Sequence, residues 1–191
     1  MKIMPRLFLL CLLTVPVLAG CGPTAPTSSN PSASPTDSGG VAPAGGDIPD
    51  NQVYLTYTGS AFTIKYPEGW VQTTPSDGVR FTDKDNGITV KISQSAAPTI
   101  ASVRADVRAI SGAAITTDAH SISLPGGAAV LATYQVDGPA DPVTGKRPRL
   151  TVDHYELAGS GGRKAVLELA NPIGADNVDA YRLVAESFRW R

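Results

Sequence analysis

The sequence predicts an α+β fold, a mainly antiparallel sheet with helices packed on it, and three observations carry that expectation. Apolar and polar residues alternate in short runs, as in Phe62, Ile64 and Tyr66 or Ile88, Val90 and Ile92. In two places, near residues 99–112 and 176–188, the spacing lengthens to that of a helix. The connections between neighbouring strand runs are mostly short, which favours antiparallel pairing over crossovers.

Two segments of different composition precede the first strand. Lys2 and Arg6 lead into an apolar run over residues 7–18, broken only by Thr14 and Pro16, and Leu18-Ala19-Gly20-Cys21 follows. A charged start, an apolar stretch too short for a comfortable bilayer span and a small-residue end make a secretory signal. The tetrapeptide resembles the lipobox of bacterial lipoproteins. That resemblance implies that residues 1–20 are removed and that Cys21 becomes the N-terminus, carrying thioether-linked lipid and acyl chains such as palmitate. Stable anchoring takes about two chains, which such a modification supplies. The implied location is the extracytoplasmic side of the cell membrane.

Residues 21–50 then read as lipidated Cys21 plus a linker. Pro23, Pro26, Pro31, Pro35, Pro43 and Pro49, five glycines and many Ser, Thr and Ala leave Val41 and Ile48 as the large apolar side chains. Such a segment cannot bury enough surface to offset its ordering entropy. As a flexible coil it spans roughly 30 Å, and about 90 Å if stretched towards polyproline II.

The folded domain is expected over residues 51–191. Phe62, Ile64 and Tyr66 form a half-buried strand, Pro67-Glu68-Gly69 turns the chain, and Trp70-Val71 resume it. Val79 and Phe81 mark a strand that returns through Asn86-Gly87, the dipeptide suited to a tight hairpin turn, into Ile88, Val90 and Ile92. Thr99 is the expected N-cap of a helix with Ile100, Val103, Val107 and Ile110 on its seam and Gly112 at its end. Ile122 and Leu124, a turn at Pro125-Gly126-Gly127, and Val130 to Val136 give the next hairpin. After a polar connection come Leu150 to Leu157, a glycine turn, and Ala165 to Leu169. Asn171-Pro172 stops that run, and Asp176 is the expected cap of a last helix with Val178, Tyr181, Val184 or Ala185, and Phe188 on its seam.

Composition narrows the function. Without residues 1–20 the chain keeps 14 basic against 17 acidic residues, so no basic excess suits polyphosphate, and nucleic acid is set aside. Of the two cysteines, Cys11 lies in the signal and Cys21 carries lipid, which leaves the domain no thiol, disulfide or cysteine-ligated metal. A domain of about 140 residues can stand on its hydrophobic core, since it buries roughly two-thirds of its unfolded surface.

Phe62-Thr63-Ile64-Lys65-Tyr66-Pro67-Glu68-Gly69-Trp70 followed by Val79-Arg80-Phe81-Thr82-Asp83 is similar to the opening of PsbP-like domains. Ala175-Asp176-Asn177-Val178-Asp179-Ala180-Tyr181, ending in Glu186-Ser187-Phe188-Arg189, is similar to the helix that closes them. The resemblance covers residues 53–191 and implies an α/β/α sandwich with a non-enzymatic accessory or binding role. Members in oxygenic phototrophs attach to photosystem II, which makes a photosystem accessory role one alternative; a fold relative in the nucleus binds a small GTPase.

Residues able to do chemistry are few. Counted from Asp83 as a calcium loop, position 5 is Gly87, position 6 is Ile88 and position 12 is Gln94, so the EF-hand pattern fails and a hairpin tip is expected. The two histidines, His120 and His154, lie on strands without metal-ligand spacing, and His154 shares the parity of Leu150 and Val152, which points it inward. Ser160 stands in a glycine turn rather than a Gly-x-Ser-x-Gly elbow, and Lys164 is followed by Ala165, so no P-loop exists. No enzyme activity, cofactor or metal is expected. The segment 137–149 stands out, with Lys146, Arg147 and Arg149 as candidate contacts to an acidic partner or anionic headgroups. The sequence therefore predicts a lipid-anchored accessory or binding protein acting on a membrane-associated protein partner. The alternative is a receptor for a small ligand or metal ion, with its pocket between sheet and helices; a hydrolase comes third.

Overall fold

The computed structural model describes residues 46–191. The signal, Cys21 and most of the expected linker lie outside the described residues. Along the described chain run β1 (Tyr54–Thr58), β2 (Phe62–Pro67), β3 (Val71–Thr73), β4 (Gly78–Asp83), β5 (Asn86–Gln94), α1 (Ile100–Ala109), β6 (Ala114–Leu124), β7 (Gly127–Asp137), β8 (Arg149–Ala158), β9 (Arg163–Pro172), α2 (Val178–Ser187) and β10 (Arg189–Trp190). Seven strands form one sheet in the order β3-β4-β5-β9-β8-β7-β6, and β1-β2-β10 form a second. All pairings are antiparallel. The fold is α+β, as the alternating runs and short connections require. Among the described residues no helix is long and apolar enough to cross a membrane.

The period of two sorts the large sheet into two faces. One face carries Val79, Phe81, Ile88, Val90, Tyr155, Leu157, Ala165, Leu167 and Leu169, all buried, beneath Phe62 and Ile64 of the small sheet and Tyr181, Val184, Ala185 and Phe188 of α2 and its end. Five aromatic rings interlock there: Phe62 stacks on Phe188 at 5.5 Å, Tyr66 on Phe81 at 4.0 Å, and Tyr57 meets both Phe62 and Phe81. The other face is covered only in part. Val103 and Val107 of α1 pack on Ala119, Val130, Ala132, Tyr134, Leu150 and Val152, at the β6–β7–β8 end. Fully burying each of those valines is worth about 1.5–3 kcal/mol. Arg104 fastens the helix to the edge strand through two 2.8 Å bonds to Asp118.

The hairpin turn β6–β7 needs its glycine for space: a Cβ on Gly126 would stand 2.6 Å from the Phe188 carbonyl oxygen. Thr99 caps α1 as expected, in a reciprocal pair with Ser102. Ile100, placed on the seam by spacing, is 40% exposed, and the buried side chains of α1 are Val103 and Val107.

Three expectations are corrected. Residues 46–50, assigned by composition to the linker, are docked on the domain: Ile48 is buried and its N–H donates to Asn177 Oδ1 at 2.7 Å. Asp176 does not cap α2. The residue before the helix is Asn177, whose side chain turns inward to donate to Gly46 O at 3.0 Å and Asn86 Oδ1 at 3.1 Å. Ile48 joins the core there, and Val178 is left 70% exposed rather than on the seam. Finally, Asn86-Gly87 is not the hairpin turn. Asp83 pairs with Asn86, so Lys84 and Asp85 occupy the turn, with Lys84 at φ 51°, while Asn86 and Gly87 already belong to β5.

Candidate binding cleft

Because α1 packs on the β6–β7–β8 end of the sheet, no helix among the described residues packs on the same face across β3, β4 and β5. This leaves an open cleft of about 600 Å³ lined by Thr73, Arg80, Gly87, Lys91, Tyr134 and Glu168 among others. The register explains the set. Thr73 pairs with Arg80, Arg80 with Thr89, Thr89 with Glu168 and Glu168 with His154, so one transverse row carries polar side chains on this face. The next row, Gly87, Ala170, Val152 and Tyr134, supplies a small, apolar floor. Lys91 lies diagonal to Arg80 across the β4–β5 pair, at a spacing long side chains bridge.

Behind the cleft runs a chain of alternating charges. Glu168 Oε1 accepts from the Tyr134 hydroxyl at 3.1 Å and from His154 Nδ1 at 3.2 Å. His154 Nε2 donates to Glu156 Oε1 at 3.2 Å, Glu156 Oε2 accepts from Lys164 Nζ at 2.8 Å, and Lys164 reaches Asp106 on α1 at 3.4 Å. The Glu156 side chain is 1% exposed, that of Glu168 25%, so the chain runs from the interior to the cleft wall.

The charges hold one another. Burial alone would drive the His154 proton off, yet the bonds to Glu156 and Glu168 outweigh it and raise the imidazole to about 9. Burial pushes both glutamates up, and their bonds to His154, with Lys164 adding to Glu156, hold both below the usual carboxylate range. Desolvation and the neighbouring Glu168 push the Tyr134 phenol well up, so it donates rather than ionises. The two glutamates occupy opposite nitrogens of one ring and cannot converge on a single ion.

The residues singled out from sequence fall elsewhere. Cys21 is outside the described residues. In the segment 137–149, Arg149 pairs with Asp137 at 3.1 Å and Arg147 donates to the Gly138 carbonyl at 3.0 Å, while Asp141 accepts from the Val143 and Thr144 amides. Lys146 and Arg147 remain exposed. His120 is exposed, with its ring on the Asp118 carbonyl. Ser160 accepts from Arg163 in an exposed turn. Glu156, Lys164 and Glu168 were not expected at the site; the available signal was that each breaks an apolar alternation on the parity of His154.

A second groove, of about 650 Å³, lies between α2 and β2. In it Arg182 pairs with Asp179 at 2.6 Å and Arg189 donates to the Glu186 carbonyl, while Lys65 and the Glu186 carboxylate make no ion pair among the described residues. Arg80 and Lys91 in the first cleft likewise have no ion-pair partner among the described residues.

Fold and site together define an α+β sandwich with a partly covered seven-stranded sheet. No family model matches the chain, and no curated protein matches it in sequence. Solved structures similar to it include the Ran-binding protein Mog1p of Saccharomyces cerevisiae, at 9% identity and a TM-score of 0.48. LpqN of Mycobacterium tuberculosis, involved in cell envelope biogenesis, is similar at 16% and 0.44. A protein from Bacteroides thetaiotaomicron is similar at 13% and 0.42. The matches cover 73%, 74% and 68% of this chain; they cover 95% of Mog1p and 92% of LpqN, but only 45% of the Bacteroides chain. These likenesses concern the course of the chain alone.

Proposed function

We propose that this protein is a lipid-anchored, extracytoplasmic accessory protein that binds rather than catalyses, acylated at Cys21 and offering the cleft beside α1 to what it binds. The observation that carries this reading is the pair Arg80 and Lys91, which line a cleft and make no ion pair among the described residues. A binding role over a catalytic one is supported by His154, whose two ring nitrogens are both bonded to carboxylates, so that its imidazole is not free to act as a base. Tethering raises the effective concentration at the membrane, so a modest interface suffices.

A second surface favours a membrane-associated protein partner: the ordered segment 137–149 presents Lys146 and Arg147 to solvent on a net-negative domain. The test of the tether is fractionation of producing cells. The native chain is expected in the membrane fraction and in the detergent phase, with Cys21→Ser moving to the soluble phase. A native chain that partitions as soluble overturns the reading.

A further inference from the structure

Gly87 is the second residue of β5, one pair beyond the Lys84-Asp85 turn, opposite Ala170 on one side and Thr82 on the other, and it lines the cleft. Its backbone is not in the left-handed region, so the main chain does not require glycine there. Nor does crowding: an added Cβ would meet only the Ala170 methyl, at 3.9 Å, an ordinary contact. Glycine in a strand often marks a place that another group approaches closely, and at Gly87 neither a left-handed backbone nor crowding requires it. Gly87 thus holds open the floor that Val152 and Ala170 continue.

The walls have opposite characters. On the β4–β5 side stand Arg80 and Lys91 with the Thr73 and Thr89 side chains; on the β7–β9 side stand Tyr134 and Glu168, and Asp77 is the other acid lining the cleft. Glu168 is already neutralised from behind by His154, and its Oε1 is used, leaving Oε2 without a partner among the described residues. Lys91 lies near enough to Glu168 to help hold it ionised, yet neither Lys91 nor Arg80 makes an ion pair among the described residues, so both can still meet an anion.

We propose, resting on the binding role above, that the cleft takes a small amphipathic acid: one carboxylate or phosphate on Arg80 and Lys91, with an apolar body over Gly87, Val152 and Ala170. Glu168 Oε2 accepts from a hydroxyl or amine of the same molecule. Such a group could arrive as a free acid or as a lipid headgroup, and the proposal commits to the free acid.

The experiment is calorimetric titration of the full chain carrying Cys21→Ser, so that no acyl chain competes for the probe. The probes are 1-naphthoate and 1-naphthyl phosphate, with inorganic phosphate and 1-naphthol as the two halves of the molecule. One saturable site is expected for the whole acids, with each half at least tenfold weaker. Arg80→Gln with Lys91→Gln is expected to weaken binding at least tenfold. Both side chains are exposed, so this variant keeps its fold even if Gly87→Val, which fills the floor, does not. Unchanged affinity in the double variant, or binding of phosphatidylglycerol vesicles but not of the naphthyl acids through Arg80 and Lys91, overturns the proposal. Failure here with membrane partition intact removes the ligand class and leaves the tether standing.

Discussion

Glu168 and His154 face each other across the β8–β9 pair, with Oε1 3.2 Å from Nδ1. This contact joins the wall of the cleft to a buried ion chain, and it makes the stability of the fold depend on pH. The folded value of His154, raised to about 9, lies above its ordinary value, so its contribution is complete below pH ~6.5 and is lost as pH rises through 9. The shift corresponds to roughly 3 kcal/mol. Urea midpoints are expected to fall between pH 6 and pH 9, and the slope is expected to vanish in His154→Gln. A native protein with a flat profile over that range contradicts the assignment. The depressed glutamates act at the other end, their contribution present above pH ~4.5 and lost on acidification.

Lys164 and Asp106 should differ sharply on removal. Lys164→Met leaves Glu156, almost fully buried, short of a cation and is expected to cost about 3–5 kcal/mol. Asp106→Asn removes a half-exposed partner and is expected to cost less than about 1 kcal/mol. Thermal or urea denaturation of the two variants reads the contrast directly; equal losses would mean that Glu156 does not depend on Lys164.

Asn86 bonds to both the N-terminal segment and the start of α2, donating to Gly46 O at 2.7 Å and accepting from Asn177 Nδ2 at 3.1 Å. Asn86→Ala is expected to cost about 1–3 kcal/mol, since it removes two hydrogen bonds and leaves one proton of the buried Asn177 Nδ2 without an acceptor, Gly46 O keeping its bond from Asn177. Hydrogen exchange at the Ile48 amide is expected to accelerate with it. Were Asn86 merely a turn residue, the Ile48 amide would exchange at the native rate.

The triple change Lys146→Glu, Arg147→Glu and Arg149→Glu breaks one exposed pair, Arg149 with Asp137, and the bond from Arg147 to the Gly138 carbonyl, and should cost about 1–2 kcal/mol. Recovery of a membrane partner by crosslinking is expected to drop, and to drop for the native chain at high salt. Unchanged recovery would dismiss this surface.

Much of the fold was legible because alternation is local. Phe62, Ile64, Phe81 and Val90 each lie on the buried face that their spacing demands, and Thr99 caps its helix through the hydroxyl that marks it in the sequence. What escaped depends on contacts distant in the chain. Ile48 sits in a proline- and glycine-rich stretch and is ordered only because Asn177, 129 positions on, binds its amide. Asn86-Gly87 reads as a turn until Asn86 is seen to be buried and Gly87 to line the cleft. The inward aim of His154 could be read from parity, but not its partners. Glu156 shares its strand, whereas Glu168 reaches it through the register of β8 with β9, which no local pattern states. The separation of β1, β2 and β10 into a second sheet was hidden for the same reason, as β10 is two residues long and pairs with β2 from far along the chain.

The central claim is that a tethered domain binds through the half-covered face of its large sheet. Photo-crosslinking in intact cells tests it most directly, with the reactive side chain at position 89 in the cleft and, as control, at position 111 beyond the end of α1. The account predicts an adduct from position 89 that disappears with Arg80→Gln and Lys91→Gln, and none from position 111. Adducts from 111 alone, or an adduct at 89 indifferent to the two cations, would contradict it.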